Sequence, residues 1–223
     1  MGDIVRRRGM VNKAEAAGYV TDGLIFFLDG LDRGGQTGYW TDIIGGVQFT
    51  LYNYTEYDNG VKFDAGNTNG GYGKAGNTVL PTGWSSQTIE CACSGAIAGR
   101  WLFSGYSGNR ISLVCGSESS GKINAAIIAD GQQRARWLLP TGTKLISINN
   151  DVGVGDLQSI SKGTNDAWST NSSGTVLGKR AVSSAYSSYY GTIYAVRIYN
   201  RKLTADEMKQ NQRADMARYG ITL

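Results

Sequence analysis

The sequence contains no histidine. That absence removes Ser-His-Asp and Cys-His catalytic arrangements and every histidine-containing metal site. Any catalysis is left to carboxylates, lysine, tyrosine or a bound cofactor. Proline is nearly as scarce, 2 residues against 32 glycines in a chain of 223, so many tight turns are expected and a proline-rich linker or collagen-like chain is not. Long apolar runs are also missing. The longest near the start, Leu24–Leu28, is far short of a spanning helix. The basic triplet Arg6, Arg7 and Arg8 is not followed by the apolar stretch of a secretory signal. A soluble chain with no membrane partner is expected.

Three cysteines cannot all pair within one chain. Cys91 and Cys93 lie two apart in an expected strand, side by side on one face at about 7 Å, which disfavours a bridge. Three buried, reduced thiols are expected. The net charge is +4, and Arg6, Arg7, Arg8 and Lys13 against Asp3 and Glu15 place half of it in the first 17 residues. The remainder shows no clustered basic face, which disfavours nucleic acid as a partner of the main domain.

What is abundant is two-residue alternation, the mark of strands with one face on a core. Ile89, Cys91 and Cys93 share a parity, as do Ile111, Leu113 and Cys115; Ile123, Ala125, Ile127 and Ala129; and Ala135, Trp137 and Leu139. Asp130-Gly131 and Asp58-Asn59-Gly60 are hairpin turn signals. Leu24–Asp29 is apolar on both faces, as an interior strand should be, and the closing strand Thr192–Tyr199 places Thr192, Tyr194, Val196 and Ile198 on one face. Roughly a dozen strands and one convincing helix predict an all-β, two-sheet antiparallel sandwich. It divides into an N-terminal basic arm (1–17), the sandwich (18–200) and a C-terminal capping helix (201–223). Thr204 and Glu207 form a capping box, Met208, Gln212, Met216 and Tyr219 recur at helical spacing, and Gly220 ends the helix. So narrow a stripe predicts a helix lying on the sandwich surface or against a partner. Residues 4–16 have some helical character, weakened by Gly9. Two stretches, Gly66–Asn77 and Asn149–Ser173, read as long polar loops, where binding usually lives.

The order of these pieces resembles the concanavalin A-like lectin/glucanase superfamily in its laminin-G-like branch. The resemblance is carried by Val20–Asp32, Trp40 with Thr41–Gly46, Val61–Gly66, Ser86–Cys93 and above all Gly191–Met208. It implies a jelly roll whose first and last strands are adjacent. The Arg-rich leader and the ending Arg213–Ile221 are similar in style to proteins of phages and prophages of gut bacteria. That implies a virion protein made in the bacterial cytoplasm, lectin-like and homo-oligomeric.

Glucanases of that superfamily use Glu-x-Asp-x-x-Glu, which alternation places on one face. The nearest match, Glu56-Tyr57-Asp58-Asn59-Gly60-Val61, lacks the second Glu and reads as a turn. Gly116–Lys122 approximates a phosphate loop but lacks its magnesium-binding hydroxyl and following helix, and reads as a hairpin loop. Gly71–Gly76 matches a dinucleotide fingerprint without the βαβ unit that gives it meaning. Asp151, Asp156 and Asp166 offer hard oxygen ligands for calcium, though their spacing fits no defined loop and solvated acids explain them as well. No other cofactor is expected.

Glycan binding needs aromatic faces beside polar groups. Tyr72, Trp84, Tyr106, Trp168, Tyr186 and Tyr189 lie in or near expected loops; the preferred platform is the tyrosine cluster Tyr186-Ser187-Ser188-Tyr189-Tyr190, with Tyr106 and Trp168 next. Arg6–Arg8 read as a solvated tail, an arm docking on an acidic assembly partner, or a contact to packaged nucleic acid. The expectation is a non-catalytic virion module anchored to other subunits by the arm or the terminal helix and displaying loops to host glycans. The alternatives are a glucanase-type enzyme with an atypical carboxylate pair among Glu56, Asp58, Glu90 and Glu118, or a purely structural subunit.

Overall fold

The computed structural model describes residues 9, 11–64, 70–75, 87–104, 112–119, 122–129, 132–163, 175–179 and 188–223. The strands are β1 (Leu24–Asp29), β2 (Tyr39–Thr41), β3 (Gln48–Tyr52), β4 (Tyr54–Tyr57), β5 (Gly60–Phe63), β6 (Tyr72–Ala75), β7 (Thr88–Cys93), β8 (Arg100–Ser104) and β9 (Ser112–Ser119). They continue with β10 (Lys122–Ala129), β11 (Gln132–Pro140), β12 (Leu145–Ile148), β13 (Gly153–Gly155), β14 (Gln158–Ser159), β15 (Ser161–Lys162), β16 (Val176–Leu177) and β17 (Thr192–Tyr199). One sheet has eight strands, ordered β14-β13-β12-β7-β17-β5-β4, with β1 also against β17; the other has nine, ordered β15-β11-β10-β9-β8-β16-β6-β3-β2. The first and last strands pair antiparallel, as the jelly-roll expectation required.

The turn chemistry sets the register. Tyr57 pairs with Gly60 across Asp58 and Asn59, and Ala129 pairs with Gln132 at the β10–β11 end, leaving two positions for the hairpin connection. Alternation then sends Ile89, Cys91 and Cys93 of β7 into the space between the sheets, opposite Leu113 and Cys115 of β9 and Ala135, Trp137 and Leu139 of β11. Phe26, Phe49 and Phe103 meet across that space at centroid distances of 5.7 to 6.5 Å. All three cysteines are buried and free.

Two sequence expectations fail here for local reasons. The closing strand does not keep Thr192, Tyr194, Val196 and Ile198 on one face, because its pairing with β7 slips between Ile193 and Ala195. That irregularity flips the parity, so Ile193 joins Val196 and Ile198 in the inter-sheet core while Ala195 and Tyr199 face the other way. The two long loops are also partly strand. β6 lies within Gly66–Asn77 and β13, β14 and β15 lie within Asn149–Ser173. Glycine-rich or very short strands carry too few apolar residues to show a period. At β6 the glycines are there for packing: a Cβ on Gly71, just before the strand, would lie 2.2 Å from the Asn53 carbonyl oxygen, and one on Gly73 within it would lie 3.1 Å from the Leu51 side chain. Likewise β9 and β10 extend to Ser119 and Lys122, which pair, so the Gly116–Lys122 segment is mostly strand and not a loop.

The C-terminal helix, Ala205–Tyr219, is begun by the Thr204–Glu207 capping box and ended by Gly220 in the left-handed conformation, as expected. Of the two expected placements it takes the sandwich surface. It packs over the far face of the eight-stranded sheet, where Met208, Ala214 and Tyr219 join Phe27, Ala92, Leu145, Val154, Ala195 and Tyr199 in a second core. Its apolar stripe is narrow because the buried face also carries Asn211, Gln212 and Asp215. Residues 11–16 are helical, and Ala14 and Tyr19 pack into the same second core.

Candidate functional site

Burial separates the expected ligand platform from the observed one. Tyr189 is fully buried in the inter-sheet core; its hydroxyl donates to the Gly95 carbonyl (3.0 Å) and lies 3.2 Å from Ser94 Oγ. It cannot present a face to a sugar, which corrects that assignment. Tyr106, Trp168, Tyr186, Asp166 and Arg6–Arg8 lie outside the described residues. Asp151 pairs with Lys202 at 2.6 Å. Asp156 accepts the backbone N–H groups of Lys144 and Leu145 (2.9 and 2.8 Å) and so fixes the start of β12. These two acids therefore serve local structure, and among the described residues no group of three or more His, Cys, Asp or Glu is arranged to hold a metal ion.

A different set of side chains converges at one end of the nine-stranded sheet. Tyr52 closes β3 and Tyr72 opens β6; the two are paired across the strands, and their rings stack at 4.8 Å with 22° between planes. Lys179, just past β16, places its ammonium 4.9 Å from the Tyr72 centroid, and partial burial lowers its pKa. Arg100 opens β8 and lies over the Tyr190 ring at 4.9 Å. The two halves are joined through Ser188, which bridges to Trp101 beside Arg100 and sits where a Cβ on Gly70 would meet it, 2.4 Å from its Oγ. Tyr189 N–H donates to the Gly178 carbonyl, fixing Tyr190 and Lys179 to the same corner. Tyr52 and Tyr190 are each 43% exposed. The result is a surface on which Tyr52 and Tyr190 are exposed, Tyr72 is half-buried, and Lys179 and Arg100 lie against the rings.

Of these residues only Tyr72 was among the sequence candidates, and Tyr190 belongs to the tyrosine cluster that contains Tyr186 and Tyr189. Tyr52 and Tyr190 could have been found from parity. Phe49 and Leu51 point inward, so Tyr52 points out, and Tyr190 follows the buried Tyr189.

The alternative catalytic carboxylates also have definite places. Glu90 is buried in β7, accepting from Arg197 Nε (2.8 Å) and Asn211 Nδ2 (2.9 Å). Asp215 on the helix accepts two Arg197 N–H groups at 2.6 Å and the Tyr19 hydroxyl at 2.9 Å. Burial pulls the guanidinium pKa of Arg197 down, but Asp215 and Glu90 outweigh it and hold it well above the ordinary range. Burial also pushes the Glu90 carboxyl up, against the lowering influence of Arg197. This carboxylate pair is sealed from any substrate and locks the helix to the sheet. Glu56 pairs with Arg33 at 3.4 Å, and Asp58 is exposed in the β4–β5 turn. Glu118 lies on β9, opposite Ile123.

No family model and no curated protein matches this chain. Solved structures do match its fold. A Trypanosoma rangeli sialidase in complex with sialic acid superposes with a TM-score of 0.57 at 16% identity, over 96% of this chain and 38% of that one. A mutant of that sialidase displaying trans-sialidase activity gives 0.53 at 14% identity, over 94% and 38%. Domain 4 of an extracellular GH43 arabinanase from Geobacillus stearothermophilus, in complex with arabinotriose, gives 0.51 at 11% identity, over 83% and 96%. The chain thus spans under two fifths of the sialidases it matches but most of the arabinanase domain. The fold is a two-sheet β-sandwich, one that also occurs within these sialidases and as a domain of this arabinanase. These neighbours supply no link to phage particles or to laminin G. They also correct the expectation that the chain is not an enzyme. The same sandwich occurs within sialidases, which are enzymes, so the fold itself does not exclude one.

Proposed function

We propose that this chain is a saccharide-binding sandwich belonging to a carbohydrate-active protein, and that its ligand lies on the Tyr52–Tyr72 surface. The observation that carries the reading is the stacked tyrosine pair, Tyr52 exposed and Tyr72 half-buried, with Lys179 against it and the Arg100–Tyr190 pair beside it. Sugar rings have one apolar face and a rim of hydroxyls. Open aromatic faces bordered by cationic donors complement both. The carbohydrate-bound neighbours, one with sialic acid and one with arabinotriose, support the class of ligand. The test is isothermal titration against a panel of oligosaccharides, comparing the chain with Tyr52→Ala. Binding that weakens roughly tenfold in the variant, about 1.4 kcal/mol, supports the site. Binding that is unchanged moves the site elsewhere.

A second reading is supported by the sialidase likeness: that the chain itself acts on a glycan, with the half-buried Glu56 and the exposed Asp58 as the accessible members of the four candidate carboxylates. Release of reducing sugar that disappears in Glu56→Gln establishes this reading, and an unaffected rate removes Glu56 from it.

A further inference from the structure

We infer that the buried Glu90–Arg197–Asp215 cluster is a proton-operated latch: with one proton on Glu90 it holds the C-terminal helix and residues 11–20 against the eight-stranded sheet, and losing that proton as the pH rises loosens them.

The charges of the cluster do not balance when both acids are ionised. Two carboxyls face one guanidinium, and all three side chains are at most 2% exposed. The Arg197 fork is committed to Asp215, with Nη1 and Nη2 each donating at 2.6 Å, and the Tyr19 hydroxyl donates to the same carboxyl at 2.9 Å. Glu90 is left with Arg197 Nε and the Asn211 amide, both directed at Oε2 (2.8 and 2.9 Å). Its other oxygen, Oε1, is buried without a hydrogen-bond partner. A charged oxygen with no donor in a dry interface is costly, and a neutral acid escapes most of that cost. A single proton on Glu90 removes the surplus negative charge. Burial, the largest influence on Glu90, acts in the same direction and raises its carboxyl against the pull of Arg197. Ser147, opposite Glu90 in the β7–β12 register, supplies a hydroxyl able to accept the acid proton.

The ionisable groups around Glu90 are Arg197 and Tyr199 from β17, Asp215 from the helix and, against Asp215 and Arg197, Tyr19 from the segment before β1. Burial holds both tyrosines un-ionised, far above their ordinary range. The chain has no histidine, so no side chain with an ordinary value near neutrality competes with Glu90. The cluster also ties the moving parts together. Asn211 joins Glu90 to the Tyr199 hydroxyl and accepts from the Val20 amide, and Tyr199 donates to the Val20 carbonyl. Ionised Glu90 is relieved by water, and water enters where helix, N-terminal segment and sheet meet. A carboxyl held above its unfolded value, near 4.5, stabilises the fold fully below that value, and the stabilisation is lost as the pH rises through the folded one. A salt-bridged surface acid behaves in the opposite way.

The test compares the melting of the parent with that of Glu90→Gln, which mimics the neutral acid, from pH 4.5 to pH 8. A tenfold bias in one proton equilibrium corresponds to about 3–5 °C for a domain of this size. The variant should gain on the parent by at least about 3 °C across that range. Hydrogen exchange, corrected for its intrinsic pH dependence, should show the amides of the helix and of residues 11–20 losing protection in the parent relative to the inter-sheet core, and keeping it in the variant. A constant melting difference, or a parent that gains as the pH rises, overturns the latch, because Glu90 is then a permanent ionic partner of Arg197. Protection lost equally from both cores overturns it as well. The comparison cancels Asp42, raised by burial, and Cys93, lowered by its hydrogen bond with Cys91, since both are common to parent and variant. If Glu90→Gln does not fold, carbon-13 NMR of the glutamate carboxyls in the parent decides. One carboxyl still protonated where the others are ionised supports the latch, and none overturns it.

Discussion

Replacing Arg197 with methionine probes what holds the helix on the sandwich. The side chain is fully buried and makes one 2.8 Å contact to Glu90 and two of 2.6 Å to Asp215. It also lies 4.5 Å from the Tyr19 ring centroid and 5.3 Å from that of Phe27. Methionine keeps much of the volume and removes the charge, leaving two carboxylates facing each other in a dry interface. Breaking a buried pair in this way costs about 3–5 kcal/mol. For a domain of this size that lowers the melting temperature by roughly 2–4 °C per kcal/mol, or about 6–20 °C. Differential scanning calorimetry reads this directly. The triple variant Arg197→Met, Glu90→Gln, Asp215→Asn should melt above the single one, since no charge is left uncompensated. If Arg197→Met melts within about 2 °C of the parent, the network is not what anchors the helix and the reasoning fails.

Other outcomes follow from single contacts. The Glu207 carboxyl is drawn down to about 2, first by its hydrogen bond to Arg201 and further by the Thr204 amide and hydroxyl. A depressed acid contributes stability above its unfolded value near 4.5 and loses it as the pH falls toward 2. The melting difference between the parent and Glu207→Gln should therefore be present at pH 6 and vanish near pH 2. Thr204→Ala, which removes the cap, should cost about 1 kcal/mol in urea denaturation. Asp156→Ala should destabilise by about 1–3 kcal/mol by orphaning the Lys144 and Leu145 amides, and adding calcium should not alter the melting temperature of the parent. Tyr189→Phe should lower stability through the lost Gly95 hydrogen bond while leaving oligosaccharide affinity unchanged.

The sandwich was legible because its strands obey a period of two with their turns at Asp58-Asn59 and near Asp130-Gly131, and the helix because both of its ends carry capping residues. The second core was not legible. Asn211, Gln212 and Asp215 look like a solvated face until Arg197 of β17 and Ser147 of β12 are brought beneath them. The irregularity in β17 defeated parity for the same reason, since nothing in Thr192–Tyr199 marks where pairing with β7 slips. At the site, sequence reasoning searched the expected loops. It chose Tyr189, which the fold buries, and passed over Tyr52, which closes a strand. A binding surface assembled from strand ends has no local signature, because its members are neighbours only across the sheet.

The central claim is that a saccharide binds on the tyrosine corner. The most direct measurement is two-dimensional NMR of the full chain during oligosaccharide titration. The account predicts saturating shifts centred on the amides of Tyr52, Tyr72, Lys179 and Tyr190, abolished together in the Tyr52→Ala, Tyr72→Ala double variant. Shifts centred on the eight-stranded sheet or the C-terminal helix, or no shifts with any saccharide tried, would contradict it.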